Sequence, residues 1–204
     1  MKPDIRWQLL LASTGLLLVL MLMSYQVQSA ALCTITMPAT GGTFIEGMVG
    51  RPNSLNPLLS DPYPVDREIN NLIFDGLVRY NEKGQLEPAL AREWTVSEDG
   101  VTFTFILEDG VTWHDGRPVT TADVAFTYGL MQDEDFPGPS NLVPLWQSVT
   151  INPIDERQIA FTLTQPYAPF FEATTRGILP AHLLEDVPIA DLATHPFNQA
   201  PIGT

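Results

Sequence analysis

Cysteine is nearly absent: the 204 residues hold one, Cys33. A single thiol excludes an internal disulfide framework and a cysteine-cluster zinc site. Basic residues are scarce too, ten Lys and Arg against 24 Asp and Glu, for a net charge of −14. With no basic stripe to neutralise phosphates, a nucleic-acid binder is excluded. The same charge disfavours docking of a folded face on anionic lipid. Only three histidines occur, His114, His182 and His195, and none is spaced to share a metal with another on one helix face. A G-x-S-x-G elbow, a phosphate-cradling glycine loop and a dinucleotide fingerprint are all missing. Internal repeats and low-complexity runs are missing as well. These absences predict no catalytic residue, no metal and no cofactor.

What is present describes a folded, loop-rich chain. Hydrophobic residues make up 45% and aromatics 9%, too much apolar surface for a disordered segment. The length suits one domain or two small ones. The 18 prolines are nearly twice the usual share of about 5%.

No charged residue lies between Arg6 and Glu46. Lys2 and Arg6 precede an apolar run over 9–23, followed by small and polar residues up to Ala31. That order is an export signal, and 7–27 also has about the 20 residues that a bilayer crossing needs. Cys33 shortly after such a segment suggests lipid attachment. Ala30 and Ala31 suit lipoprotein processing, whereas Leu32 is bulky for it. Ordinary cleavage after Ser29-Ala30-Ala31, or retention of the helix as an anchor, stay open beside it. Residues 1–33 are therefore assigned as a signal peptide or membrane anchor. Removing this segment leaves the remainder slightly more acidic, which keeps it soluble.

The rest alternates strands, turns and short helices. Residues 43–49 alternate as a strand, with glycines at both ends. Ile69, Leu72, Ile73 and Leu77 mark one face of a helix with Asp66 as N-cap. Residues 94–97 and 101–107 flank Glu98-Asp99-Gly100 as a hairpin, with Phe103, Phe105 and Leu107 inward. Thr120 and Asp123 form a capping box for a helix whose inward stripe is Val124, Thr127, Tyr128 and Met131. Residues 149–151 and 158–163 form a second hairpin, and Pro180 begins a short helix. The acidic runs Glu98-Asp99, Glu108-Asp109 and Asp133-Glu134-Asp135 sit in turns, where solvated loops are favoured over paired catalytic carboxylates. Trp94, Trp113 and Trp146 are expected in the core.

Trp113-His114-Asp115-Gly116-Arg117-Pro118-Val119-Thr120-Thr121-Ala122-Asp123-Val124 resembles the W-x-D-G-x-P-[VF]-T-A-x-D-V block of the family 5 extracellular solute-binding proteins, components of ABC importers for oligopeptides, dipeptides and nickel. Further pieces follow in that family's order: Pro52–Pro57, Ile73-Phe74-Asp75-Gly76-Leu77, 87–94, 101–105 and Pro201-Ile202-Gly203-Thr204. Glu108 departs from the basic residue usual at its position. The most legible block is a folding device, with Asp115 and Gly116 turning the chain and Pro118 fixing its entry to the next helix.

The resemblance implies an α/β, periplasmic-binding-protein-like type II fold, with a first lobe and an inserted small subdomain, truncated before the second lobe. It divides the chain into 34–80 (first lobe, N-terminal part), 81–165 (inserted α/β subdomain) and 166–204 (return to the first lobe, incomplete). It implies an oligopeptide or similar small solute as ligand, ABC permease and ATPase subunits as partners, and a monomer. The location it implies is the periplasmic or extracellular face of a bacterial cytoplasmic membrane. Asp61 would pair with a peptide amino terminus, Tyr63 would pack on its backbone and Arg176 would neutralise a ligand carboxylate. A Pro-rich surface loop and a solvated arginine are the plain alternatives. Two other classes compete: a surface hydrolase, marked by facing carboxylates with one desolvated, and a non-transporting, surface-anchored sensor on the same fold.

Overall fold

The computed structural model describes residues 5–31, 45, 47–60 and 62–204. They fall into two compact units, 1–47 and 48–204. Cys33 and Asp61 lie outside the described residues.

The first unit holds helix α1 (Ile5–Ala31), 27 residues long. Its side chains from Leu16 to Met23 are all exposed, so this stretch has no buried face within the unit. Among the described residues, no helix is long and apolar enough to cross a membrane.

The second unit contains a four-stranded antiparallel sheet in the order β3-β4-β6-β5. Its strands are β3 (Ala91–Val96), β4 (Thr102–Leu107), β5 (Val149–Pro153) and β6 (Gln158–Leu163). Before it comes a ribbon of β1 (Val78–Tyr80) and β2 (Leu86–Pro88). The alternation of Phe103, Phe105 and Leu107 with Thr102, Thr104 and Ile106 puts the first three on the buried face, as the sequence predicts. Phe161 stands opposite Phe103 in the register. Fully burying such side chains stabilises by about 1.5–3 kcal/mol each.

Helix α3 (Thr121–Leu130) lies against β5. Its capping box is formed as predicted, with Ala122 N donating to Thr120 Oγ1 at 3.3 Å and Thr120 N to Asp123 Oδ2 at 2.9 Å. The inward stripe Val124, Thr127, Tyr128 and Met131 is wholly buried. The Tyr128 ring stacks on Trp146 of α4 (Val143–Gln147), centroids 4.2 Å apart. Trp113 and Trp146 are core residues, and Trp94 packs its edge on Phe171.

The Trp113–Arg117 turn is a docking piece. Gly116 has φ +84°, a conformation that an L side chain resists. His182 Nε2 lies 2.9 Å from Asp115 Oδ2, and His114 N donates to Gly203 O at 2.9 Å. Gly203 passes so close to Ile73 that a Cβ there would overlap the Ile73 carbonyl.

Two expectations fail. The described residues of 43–49 form no strand, and none of them pairs with another segment. A strand needs a neighbour to take its backbone groups, and alternation alone supplies none. Helix α2 (Pro64–Ile73) is capped by Tyr63, with no side-chain bond, and not by Asp66. Asp66 is instead buried in its first turn, accepting Asn53 N at 2.7 Å and Ser54 N at 2.9 Å. The helix thus turns a polar edge, Asp66 and Asn70, inward and leaves Leu72 86% exposed.

Candidate functional site

The loop at 52–60 is shaped from inside. Besides the two bonds to Asp66, Asn56 Oδ1 accepts Leu58 N at 3.0 Å, and Asn56 Nδ2 donates to Asn198 Oδ1 at 3.1 Å. A buried carboxylate and two buried amides therefore fix a loop that has no regular structure of its own. Pro57 and Ser60 from this loop form one wall of a cavity of about 340 Å³.

More of its lining comes from Glu172 in α5 (Phe170–Ala173) and from the segment that follows it. Leu77 N and Tyr128 Oη–H both donate to Thr174 O, at 3.0 and 3.2 Å. Ile178 N donates to Asp75 O at 3.0 Å, and Leu179 N to Thr127 Oγ1 at 2.9 Å. Gly76 permits the close pass, since a Cβ there would lie 2.5 Å from the Thr175 backbone. Thr175, Arg176 and Gly177 are thus held between two clamps and line the cavity.

Arg176 and Glu172 also line a second cavity of about 270 Å³, with Leu142, Leu145 and Tyr167. Asn141 is shared between that cavity and a third of about 420 Å³ beside Pro62 and the Pro137-Gly138-Pro139 turn. The three make one discontinuous trough on the second unit. Arg67, Glu68, Glu172 and Arg176 give its first part both signs of charge, and Leu142 and Leu145 add apolar side chains to a mainly polar middle. Burial pushes the Tyr128 phenol well above its ordinary value, opposed by the charge of Arg176, so it remains a hydrogen-bond donor.

Such a lining can take a carboxylate on a planar guanidinium, an ammonium on a carboxylate, and an apolar side chain between them. Among the described residues, no group of three or more His, Cys, Asp and Glu is placed to hold a metal.

Of the residues singled out in the sequence, Arg176 lies at the junction of two cavities. Tyr63 is 46% exposed, caps α2 and lines none of the three. Asp61 lies outside the described residues. Sequence reasoning missed Glu172, Arg67, Glu68 and Tyr167. Glu172 stands four residues before Arg176, and Arg67-Glu68 is a mixed-charge pair on a helix; both were visible as patterns.

Residues 85–204 match the model of the bacterial extracellular solute-binding proteins, family 5. This chain belongs to that family. Protein XP55 of Streptomyces lividans is 34% identical over 165 residues, 78% of this chain and 28% of the relative. The oligopeptide-binding protein AppA of Bacillus subtilis, solved with a nonapeptide, superposes with a TM-score of 0.71 at 28% identity, covering 76% of this chain and 31% of that one. NikZ of Campylobacter jejuni, solved with Ni(L-His), gives 0.67 at 31% identity, covering 76% of this chain and 30% of that one. The mixed helix and sheet architecture of this family 5 chain is that of the type II periplasmic binding proteins. It spans about a third of the length of these relatives.

Proposed function

We propose that this family 5 chain supplies the first-lobe wall of an ABC importer's substrate-binding component, which captures oligopeptides outside the membrane and delivers them to a permease. The observation that carries this reading is the trough in which Arg176 and Glu172 stand beside the side chains of Leu142, Leu145 and Tyr167. A peptide presents a terminal carboxylate, a terminal ammonium and apolar side chains, and the lining offers a counterpart to each. AppA, a relative solved with a nonapeptide, is in keeping with a peptide ligand. Asp61 and Tyr63 are proposed as further contacts from the loop before α2, and the protein is proposed to act without catalysis, as a monomer. The division into 34–80, 81–165 and 166–204 is part of the same reading. The whole four-stranded sheet falls inside the middle segment, and the β1–β2 ribbon straddles the 80/81 boundary.

Arg67, Glu68 and Glu172 are exposed. Charge pairs made there by this chain alone are worth at most about 1 kcal/mol each. Calorimetry with short peptides should give a dissociation constant near 1 mM, about 4 kcal/mol, against far tighter binding by a full-length relative. Micromolar binding by this chain alone would contradict a site shared between two lobes.

We further propose export with membrane retention through residues 1–33, with Cys33 as the lipid attachment point. Lys2, Arg6 and the uncharged run after them support this. Fractionation should place the protein with membranes, and Cys33→Ser should release it to the medium. Continued retention of the variant would rule out Cys33 as the attachment point, and an unprocessed cytosolic protein would end the export reading.

A further inference from the structure

The Tyr128 side chain is fully buried, yet its hydroxyl donates to a main-chain carbonyl, Thr174 O, at 3.2 Å. Its ring is fixed on two sides, stacked on Trp146 and set edge-on to Phe161 at 5.5 Å and 87°. A phenylalanine would fill the same space with no polar atom to satisfy, so the hydroxyl serves something beyond packing. Thr174 O also accepts Leu77 N at 3.0 Å. Two donors on one carbonyl use both of its lone pairs and fix the 174–175 peptide plane. Arg176 follows immediately. The next fixed points are Ile178 N on Asp75 O and Leu179 N on Thr127 Oγ1. Within its own turn the span is shaped by Thr174 N and Oγ1 donating to Phe171 O and by Thr175 N and Oγ1 donating to Glu172 O, while Leu77 and Tyr128 tie its upstream end to other elements of the fold.

We propose that Tyr128 is a positioning residue for Arg176: its buried hydroxyl holds the 174–176 segment so that the guanidinium is presented, already oriented, to a ligand carboxylate. This rests on the reading of the trough as the binding site. A pre-oriented arginine loses less freedom on binding a carboxylate than a loosely held one.

The test uses the full chain and two probes, acetyl-Ala-Ala with a free carboxylate and its carboxyl amide, titrated at millimolar concentration and followed by NMR. Wild type is expected to bind the acid more tightly than the amide. Tyr128→Phe keeps the ring and should weaken the acid by about three- to tenfold, leaving the amide unchanged. In an Arg176→Gln background the same substitution should cost nothing further. Thr127→Val, which removes the acceptor for Leu179 N, is expected to narrow the acid–amide difference in the same direction. Equal losses for acid and amide in Tyr128→Phe, an undiminished loss in the Arg176→Gln background, or no loss at all would overturn the proposal while leaving the trough as the site. If wild type fails to distinguish acid from amide, the reading of the trough falls and the proposal falls with it.

Discussion

Asp115 receives the backbone N–H of Arg117 and faces His182; the Arg117 bond first, and the His182 contact after it, lower its carboxyl from its ordinary value against the opposing effect of desolvation. A carboxyl depressed in the folded state adds stability above its unfolded value of about 3.9, and loses it as pH falls through the lower folded value. The urea midpoint should therefore fall as the solution is acidified below about pH 4. Asp115→Asn should lower the midpoint at pH 6 and narrow its gap to wild type by pH 2; a gap that stays constant over that range would contradict the linkage. Arg176 teaches a different lesson at this scale. In the sequence its one visible companion is Glu172, four residues earlier, a spacing that a solvated surface pair shares. Its place follows from contacts far along the chain, Thr174 with Leu77 and Tyr128. No local spacing encodes these.

Helix α2 shows how an element can be found and its buried face only partly read. Apolar periodicity puts Ile69, Leu72, Ile73 and Leu77 inward; Leu77 is buried and Ile73 packs against the core, but the helix also buries Asp66 and Asn70 and exposes Leu72. The reason is the loop at 53–54, whose backbone N–H groups have no strand to bond and take the Asp66 carboxylate instead. Leu72→Gln should therefore change the free energy of unfolding by less than about 0.5 kcal/mol. Asp66→Ala should cost about 1.5–3 kcal/mol, since bonds to a charged acceptor are lost and two N–H groups are stranded. Urea denaturation of both variants decides between the polar and apolar faces, and the reverse ranking would restore the periodicity reading. Helix α3 and the two hairpins were legible because local signals and tertiary contacts agree there. The capping box starts α3 where its apolar stripe begins, and the turns at Gly100 and 154–157 join strands that pair with each other. The 43–49 segment alternates just as well, but no partner strand is present among the described residues.

For the whole molecule, the family was legible from the W-H-D-G-R-P-V-T-T-A-D-V block, although that block builds the fold and lines none of the trough. Trp113 is buried, Asp115 faces His182, and Asp123 Oδ1 accepts Ala181 N at 2.9 Å, so the block fastens α6 (Ala181–Leu184) and the 203–204 segment to α3. The trough is lined instead by parts of the chain far apart in sequence: Pro57 to Asn71, Pro137 to Leu145, and Tyr167 to Gly177. Motifs that specify folding are contiguous, whereas a binding surface assembled from three segments leaves no contiguous trace. The central claim is that a peptide occupies this trough. Chemical-shift mapping of the isotope-labelled chain during titration with a tripeptide tests it most directly. The account predicts that the largest backbone shifts cluster at 57–71, 141–145 and 172–177, while the exposed face of the sheet at Thr95, Thr150 and Thr162 stays unmoved; shifts centred on that sheet face, or none at millimolar peptide, would contradict it.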